Sequence, residues 1–438
     1  MWKIGTITSV IDNTACKSFF SNKWFTRRWA VQEVALAPTS TCHCGSFQRP
    51  FEDIPLAASW IVYNYLTCSK IGPCRGMQNA SVMRIYSGGW YDIHHMAGES
   101  LRLPPHMVLA SLQDFENNDS KDCVYAVLAL YQRYGSASDL LPELIRPDYT
   151  LPLETILTRA AKICLDENED LRLLNEIQHG TSDFHENSRI PSWVPRYDQA
   201  YDQRLEATLL LYEFRADNGT IWILDPSNHN ETLHTVTLSV RGYQIGAVTR
   251  TTGRMDQRMF SDFEYTKGKI SEMDAILART QNDPASRDAI LSSTLCASRG
   301  YDDNLFDPAD ATAAFTDYEI MALQQGFIPS WPDELSESAT DLERRRSTYK
   351  HEVYHTCTSR CFSGESDARV GVRPQYLAVG DVLAILFGCQ WRVILRPIAD
   401  DNAEYRFVGT AYVYGIMFGE ATRRLQAEGR QVDDFVLI

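Results

Sequence analysis

Apolar and polar residues follow helical spacing through most of the first two hundred positions and strand spacing near the end, with a mixed stretch between. The clearest run is Trp24-Phe25-Thr26-Arg27-Arg28-Trp29-Ala30-Val31-Gln32-Glu33-Val34-Ala35-Leu36-Ala37. Ser21 and Asn22 offer caps and Pro38 a stop, so the spacing predicts one helix of roughly four turns. At about 100° per residue, Phe25, Trp29 and Leu36 share a face and Ala30, Val34 and Ala37 line the next. Past Arg28 the run is apolar nearly all round, which predicts a buried helix with Glu33 between two apolar stripes. A carboxylate so placed is either a structural partner for a cation or a catalytic group tuned by its surroundings, and the residues alone leave both open.

Further along, Phe51 to Leu66 reads as a helix with Phe51, Ile54, Ala58, Ile61 and Tyr65 on one side. Met107 to Phe115 resumes helical spacing. Asp119 is placed to cap a helix from Asp122 to Tyr131, with Asp122 as the reciprocal acceptor. Thr150 and Pro152 open another, Leu153 to Leu165. Thr220 to Leu224 and Thr235 to Tyr243 alternate as strands, with Gly219 and Gly242 as turn or bulge residues. Residues 255–350 return to helical and polar sequence, ending in a polar linker near Glu334 to Arg346. Val379 to Gly419 is a series of short strands separated by Gly380, Gly388, Asp400-Asp401-Asn402 and Gly409, which predicts a small antiparallel sheet or partly open barrel.

Composition narrows the function classes. The 438 residues are 44% hydrophobic, enough for two or three ordinary cores. A formal net charge of −15 disfavours nonspecific binding to nucleic acid or anionic membrane. The dense basic run Arg344-Arg345-Arg346 sits among acids and reads as solvated linker. No apolar run approaches the ~20 residues of a membrane span, and the first residues lack a secretory core. Eleven irregularly spaced cysteines are not a disulfide scaffold in a chain of this length, so reduced thiols in the cytoplasm are expected.

Two clusters carry metal-ligand residue types. Cys42-x-Cys44 with Cys68 and Cys74 lacks the usual knuckle spacing. His351-x₃-His355-x-Cys357-x₃-Cys361 is richer, yet a partly buried structural run is the favoured reading, so no metal is assigned. Cys123 sits within an apolar helix and reads as core. No nucleophile elbow and no phosphate-cradling glycine loop is present, and no cofactor is called for.

The run Trp24 to Ala37 resembles the signature of the fungal heterokaryon incompatibility family. Three other segments follow in that family's order. Asn118-Asp119-Ser120-Lys121-Asp122-Cys123-Val124-Tyr125-Ala126-Val127-Leu128-Ala129-Leu130 resembles its aspartate-rich cap and following helix. Pro191-Ser192-Trp193-Val194-Pro195 resembles its tryptophan turn. Gly380-Asp381-Val382, Leu395-Arg396-Pro397, Val408-Gly409, Tyr412-Val413, Gly415-Ile416-Met417 and Gly419-Glu420 resemble its C-terminal block. Ser120, Cys123 and Ala129 depart from the usual residues. The family's N-terminal block has no counterpart after Met1, so the opening helix reads as the closing edge of a truncated domain.

The resemblance implies a part in fungal non-self recognition and programmed cell death, exercised through protein partners. The family has also been regarded as a distant relative of Toll/interleukin-1 receptor type domains, some of which hydrolyse NAD with a helical glutamate that follows a tryptophan. Trp29-x₃-Glu33 is similar in spacing, which implies Glu33 and Trp29 as the candidate catalytic residues of that alternative. The expected fold class is α+β: a truncated α/β remnant at 1–38, a helical region at 39–190, and a β-rich domain at 191–438 with a helical insertion at 255–350. The expected protein is cytoplasmic and, as a truncated chain, non-enzymatic or inactive.

Overall fold

The computed structural model describes residues 13–63, 74–86, 104–134, 143–168, 170–179, 189–199, 214–221, 237–260, 262–279, 281–298, 309, 311–316, 348–350, 352–353, 356–357, 360–365, 369–398 and 404–438. Backbone contacts divide the chain into two compact units, one of Met1–Glu167 with Tyr197–Tyr201 and one of Asn168–Arg196 with Asp202–Ile438.

Among its described residues the first unit is mainly helical, with one hairpin. Its described helices are α1 (Asn13–Phe20), α2 (Arg28–Leu36), α3 (Asp53–Tyr63), α4 (Arg75–Tyr86), α5 (Pro105–Ser111), α6 (Asp122–Tyr125), α7 (Leu128–Tyr134) and α8 (Leu153–Asn168). The hairpin pairs β1 (Thr41–Cys44) with β2 (Phe47–Pro50) around Gly45, whose φ of +60° suits glycine at a tight turn. Phe20, Phe25, Ala58, Ile61, Met77 and Ala80 form a core beneath these helices, with Trp24, Ile54 and Trp60 packed against it. Phe51, Ala58 and Ile61 are buried and Ile54 is half-buried, as the spacing of α3 predicts; Tyr65 and Leu66 lie outside the described residues.

The predicted helix from Ser21 to Pro38 is instead two elements. Asn22 caps a 3-10 turn, Lys23–Thr26, through a bond from the Trp24 amide at 2.9 Å. Arg27 is then extended, with φ −79° and ψ +127°, and bridges Glu116 as in a parallel strand pair. Glu116 N–H donates to the Thr26 carbonyl and Arg28 N–H to the Glu116 carbonyl, so main-chain pairing outcompetes helix propagation at this position. α2 ends at Leu36 because Pro38 disfavours helical torsions at Ala37, which has ψ +134°. The predicted helix from Asp122 to Tyr131 is likewise divided into α6 and α7. The Asp119 carboxylate receives the Lys121 amide at 2.9 Å, but Asp122 turns to other partners described below.

The second unit carries a long strand, β3 (Leu238–Thr251), then α9 (Phe263–Leu277) and α10 (Pro284–Leu295). It continues with β4 (Arg360–Glu365), β5 (Val370–Pro374), β6 (Val382–Leu386), β7 (Arg392–Pro397), β8 (Glu404–Val413), α11 (Glu420–Ala427) and β9 (Asp433–Leu437). Asp262 and Asp283 cap α9 and α10 by accepting the amides of Tyr265 and Ser286, and Pro284 occupies the first turn of α10.

The described strands run in the order β4-β5-β8-β7-β6-β3-β9, and further pairings of β3 with β4 and β8 with β9 close them into a ring. The ladders are antiparallel except β8–β9. Closure depends on β3, which pairs with β9 and β6 along its first part and with β4 along its last. Irregularities in register at Gln244/Gly246 and Val248/Arg250 bend it between these partners.

Tyr243, Leu383, Ile385, Ile394, Val408, Ala411 and Val413 of the strands form one core with Ala421 and Leu425 of α11. A second core joins α9 and α10 to β4 and β5 through Met273, Leu277, Leu291, Phe362, Val370 and Val372. β6 is buried along its whole length, which explains its uninterrupted apolar sequence Val-Leu-Ala-Ile-Leu. The expected α+β class and C-terminal antiparallel sheet are therefore present.

Gly409 is not the separator the sequence predicts. It lies inside β8 with φ +147°, and a Cβ there would come within 2.5 Å of the Pro374 side chain. Gly242 serves close approach within β3, where a Cβ would sit 1.9 Å from the Ile385 carbonyl oxygen. Of the predicted strand at Thr220 to Leu224, Thr220 and Ile221 are irregular and Ile221 is exposed, while Trp222, Ile223 and Leu224 lie outside the described residues. No helix among the described residues is long and apolar enough to cross a membrane.

Candidate functional site

α2 buries a different charge from the one its periodicity marks. Glu33 is exposed, as is Leu36, whereas Arg28 at the first position of the helix is only 1% exposed. The break at Arg27 rotates the register, so Arg28, Ala30, Val31 and Ala35 face inward. Glu33 therefore lacks the apolar surroundings expected for it, and solvent screens its charge.

The Arg28 guanidinium donates only to main-chain carbonyls. Nη1 reaches Cys123 O at 2.8 Å, and Nη2 reaches Tyr197 O at 3.2 Å and Gln113 O and Phe115 O at 3.3 Å. Burial lowers its pKa, and the nearby Cys123, Asp198, Asp114 and Asp122 oppose that shift. The guanidinium thus ties the start of α2 to three other segments of the first unit.

The neighbouring residue makes a second tie. Trp29 Nε1 donates to Asp122 Oδ2 at 3.0 Å, and the Tyr149 hydroxyl donates to Asp122 Oδ1 at 2.6 Å. Both carboxylate oxygens are thereby engaged by aromatic donors. Burial, with the Asp122 charge acting in the same direction, raises the Tyr149 pKa. Tyr125 packs edge-on against Tyr149 at 5.0 Å, and its hydroxyl donates to Asp148 O at 2.9 Å. Arg133 closes the far end of α2 through the Ala35 carbonyl at 2.5 Å. The Trp24–Ala37 and Asn118–Leu130 segments, far apart in sequence, therefore form one bonded assembly.

Each arm of this assembly has an expected weight. Trp29→Phe keeps most of the packing but strands one oxygen of a largely buried carboxylate, so urea unfolding should show a loss of about 1–2 kcal/mol. Tyr149 is half-exposed, and Tyr149→Phe should cost about 1 kcal/mol or less because water replaces the donor.

The first unit also holds an apolar cavity of about 20 Å³, lined by Val108, Val124, Leu128, Tyr131, Ala160 and Ile163 among others. Neither Trp29 nor Glu33 borders it. A space for little more than one water, without polar groups, is a packing void.

Among the described residues, the remaining candidates do not come together into a metal site. Cys42 and Cys44 stand on the exposed hairpin. Cys357 and Cys361 are buried and bond separate carbonyls, those of Leu295 and Gln375. Cys68, His351 and His355 lie outside the described residues. No cluster of three or more His, Cys, Asp or Glu residues able to hold a metal occurs among the described residues.

In the second unit the C-terminal block is built around buried charge. Asp381, 2% exposed, accepts both arms of Arg396, Nε at 2.8 Å and Nη2 at 2.9 Å, and the Ala378 amide at 2.8 Å. Arg392 is fully buried, donates to the carbonyls of Ala216 and Ile416, and is drawn down to about 9 by burial. The Pro191–Pro195 turn is anchored through Ser192, whose amide donates to Ile438 O at 2.9 Å and whose hydroxyl accepts the Phe407 amide at 2.8 Å. Trp193 beside it is buried.

Residues 338–438 match the Het-6 beta-barrel domain family. The matched segment contains β4 to β9 and α11, so the ring's closing strand, β3, comes from outside it. No curated protein and no solved structure matches the chain. The match accords with a heterokaryon incompatibility-type protein and covers the Asp381–Arg396 pair.

Sequence reasoning singled out Trp29 and Glu33 and overlooked Arg28, Tyr149 and the Asp381–Arg396 pair. Arg28 carried one signal, a cation directly beside the conspicuous tryptophan. Asp381 and Arg396 carried another, since each sits within a segment of the resembling C-terminal block.

Proposed function

We propose that this chain is a heterokaryon incompatibility-type protein that acts in non-self recognition and cell-death signalling of a fungal cell, in the cytoplasm, through protein partners. The Het-6 barrel match at 338–438 carries the reading. The bonded assembly of the Trp24–Ala37 and Asn118–Leu130 segments supports it, because both resemble the same family's motifs. The geometry favours a binding role over catalysis. Trp29 spends its indole N–H on Asp122, and Glu33 stands in water, where a carboxylate stabilises a developing oxocarbenium charge weakly.

NAD hydrolysis at Glu33 is the second reading. It is favoured by one observation: α2 places Glu33 one turn after Trp29 and accessible to a ligand. Two measurements separate the readings. Forced expression in a fungal host should reduce viability equally for wild type and Glu33→Ala, and the purified chain should release no nicotinamide from NAD. Glu33-dependent nicotinamide release would replace the binding role with the enzymatic one. Full viability with the wild type folded and expressed would remove the signalling role.

A further inference from the structure

Cys16 and Cys74 belong to different elements of the first unit yet pack on the same core cluster. Cys16 lies in α1, one helical turn before Phe20, and both thiols are half-buried against the group formed by Phe20, Phe25, Ala58 and Met77. Cys74 is held at the entry to α4, where its carbonyl accepts the Met77 and Gln78 amides at 2.9 and 3.1 Å. Two residues on, Gly76 lets the end of α1 come so close that a Cβ there would meet the Phe20 carbonyl oxygen at 1.9 Å. The backbones of α1 and the start of α4 are therefore in direct contact at Phe20 and Gly76, each within one helical turn of one of the two cysteines. Cys74 also acts electrostatically on Cys16.

We propose that Cys16 and Cys74 form a reversible disulfide that staples α1 to the entry of α4 under oxidation by a peroxide. One thiol reduces the peroxide, becoming a sulfenic acid and releasing a water. The other thiol then attacks that sulfur, forms the S–S bond and releases a second water. A thiol or dithiol reductant restores both cysteines by exchange. Burial raises the pKa of the Cys16 thiol, which lowers its thiolate fraction at neutral pH.

The other near pair is less suited. Cys42 and Cys44 are two positions apart on β1, which separates their side chains by roughly 6.6 Å along one strand face. A disulfide needs Cβ atoms about 3.5–4.5 Å apart. Cys123, Cys164, Cys296, Cys357, Cys361 and Cys389 are buried.

The staple has a structural target. α1 runs through Asn22 into the 3-10 turn and α2, so fixing α1 fixes the Phe20/Phe25 core beneath the helix that carries Arg28 and Trp29. The test uses the full chain treated with hydrogen peroxide, alkylated and digested for peptide mass mapping, beside limited proteolysis. The expected result is a linked Cys16–Cys74 peptide that dithiothreitol removes. Cleavage within α1 should also slow by roughly tenfold or more in wild type and stay unchanged in Cys16→Ser. The proposal fails if peroxide leaves both thiols free in the folded chain, or links either of them to Cys42, Cys44 or Cys68 instead. It also fails if the link forms and α1 is cleaved as fast as before. The mapping needs only the wild-type chain, so a variant that folds poorly does not obscure it.

Discussion

Arg28→Ala is expected to remove about 3–5 kcal/mol from the unfolding free energy of the first unit, measured by urea titration with Trp29 fluorescence as a probe. The side chain is 1% exposed and donates to the carbonyls of Cys123, Gln113, Phe115 and Tyr197. Truncation leaves a cavity and four acceptors without their donor, and the two costs add. Arg28→Met separates them. It refills most of the volume but restores no donor, so its loss should be about 2–3 kcal/mol. Arg28→Lys should fall in the same range, because one ammonium cannot match a planar fork that reaches several segments. A loss below about 1 kcal/mol for Arg28→Ala would mean that water takes over the carbonyls, and the arginine would then not organise this unit.

That prediction depends on a feature the sequence hides. Helical periodicity marks α2 correctly, and Pro38 ends it as expected. It cannot anticipate that Glu116, some ninety positions downstream, pairs with Thr26 and Arg28 through the main chain and breaks the helix at Arg27. The break shifts which residues face inward, so Arg28 goes in and Glu33 comes out. Backbone pairing between distant segments leaves no trace in a local apolar pattern. The same blindness recurs in the ring. Gly409 looks like a strand end, yet it is needed in mid-strand because Pro374 crosses close above it. The uniform apolar run of β6, by contrast, is legible because burial on both faces demands it. Spacing of Phe51, Ile54, Ala58 and Ile61 was enough for α3, whose inner face is local. Trp29 is legible as a conspicuous residue, but spacing shows only near neighbours and so gives its partner Asp122 a helix-capping role instead.

In the second unit, breaking the Asp381–Arg396 pair is expected to cost about 3–5 kcal/mol, and the two single variants should differ. The Asp381 side chain is 2% exposed and that of Arg396 is 30% exposed. Arg396→Ala leaves a carboxylate stranded in the interior with only the Ala378 amide at 2.8 Å. Asp381→Ala leaves a guanidinium that still reaches the Tyr376 carbonyl at 2.6 Å and can draw on water. Arg396→Ala should therefore be the worse of the two. The position of the pair amplifies its effect. Asp381 sits where β3 meets β6: the Val248 amide donates to its carbonyl at 2.8 Å, and the Gly380 amide donates to Val248 O at 2.9 Å. Arg396 lies near the end of β7, so the ion pair ties three neighbouring strands at the point where β3 bends toward β4. The double variant Asp381→Ala/Arg396→Ala removes both charges and should lose less than the sum of the singles by about 2–3 kcal/mol. Because the carboxylate is buried, raising salt to about 0.5 M should leave that coupling largely intact, whereas a surface pair would be screened. Near-ultraviolet circular dichroism during urea titration would follow the ring through Trp391 and Tyr412, both buried in it. Additive losses, or a coupling that salt abolishes, would show that the ring closes on its apolar core alone and that the pair is incidental to it.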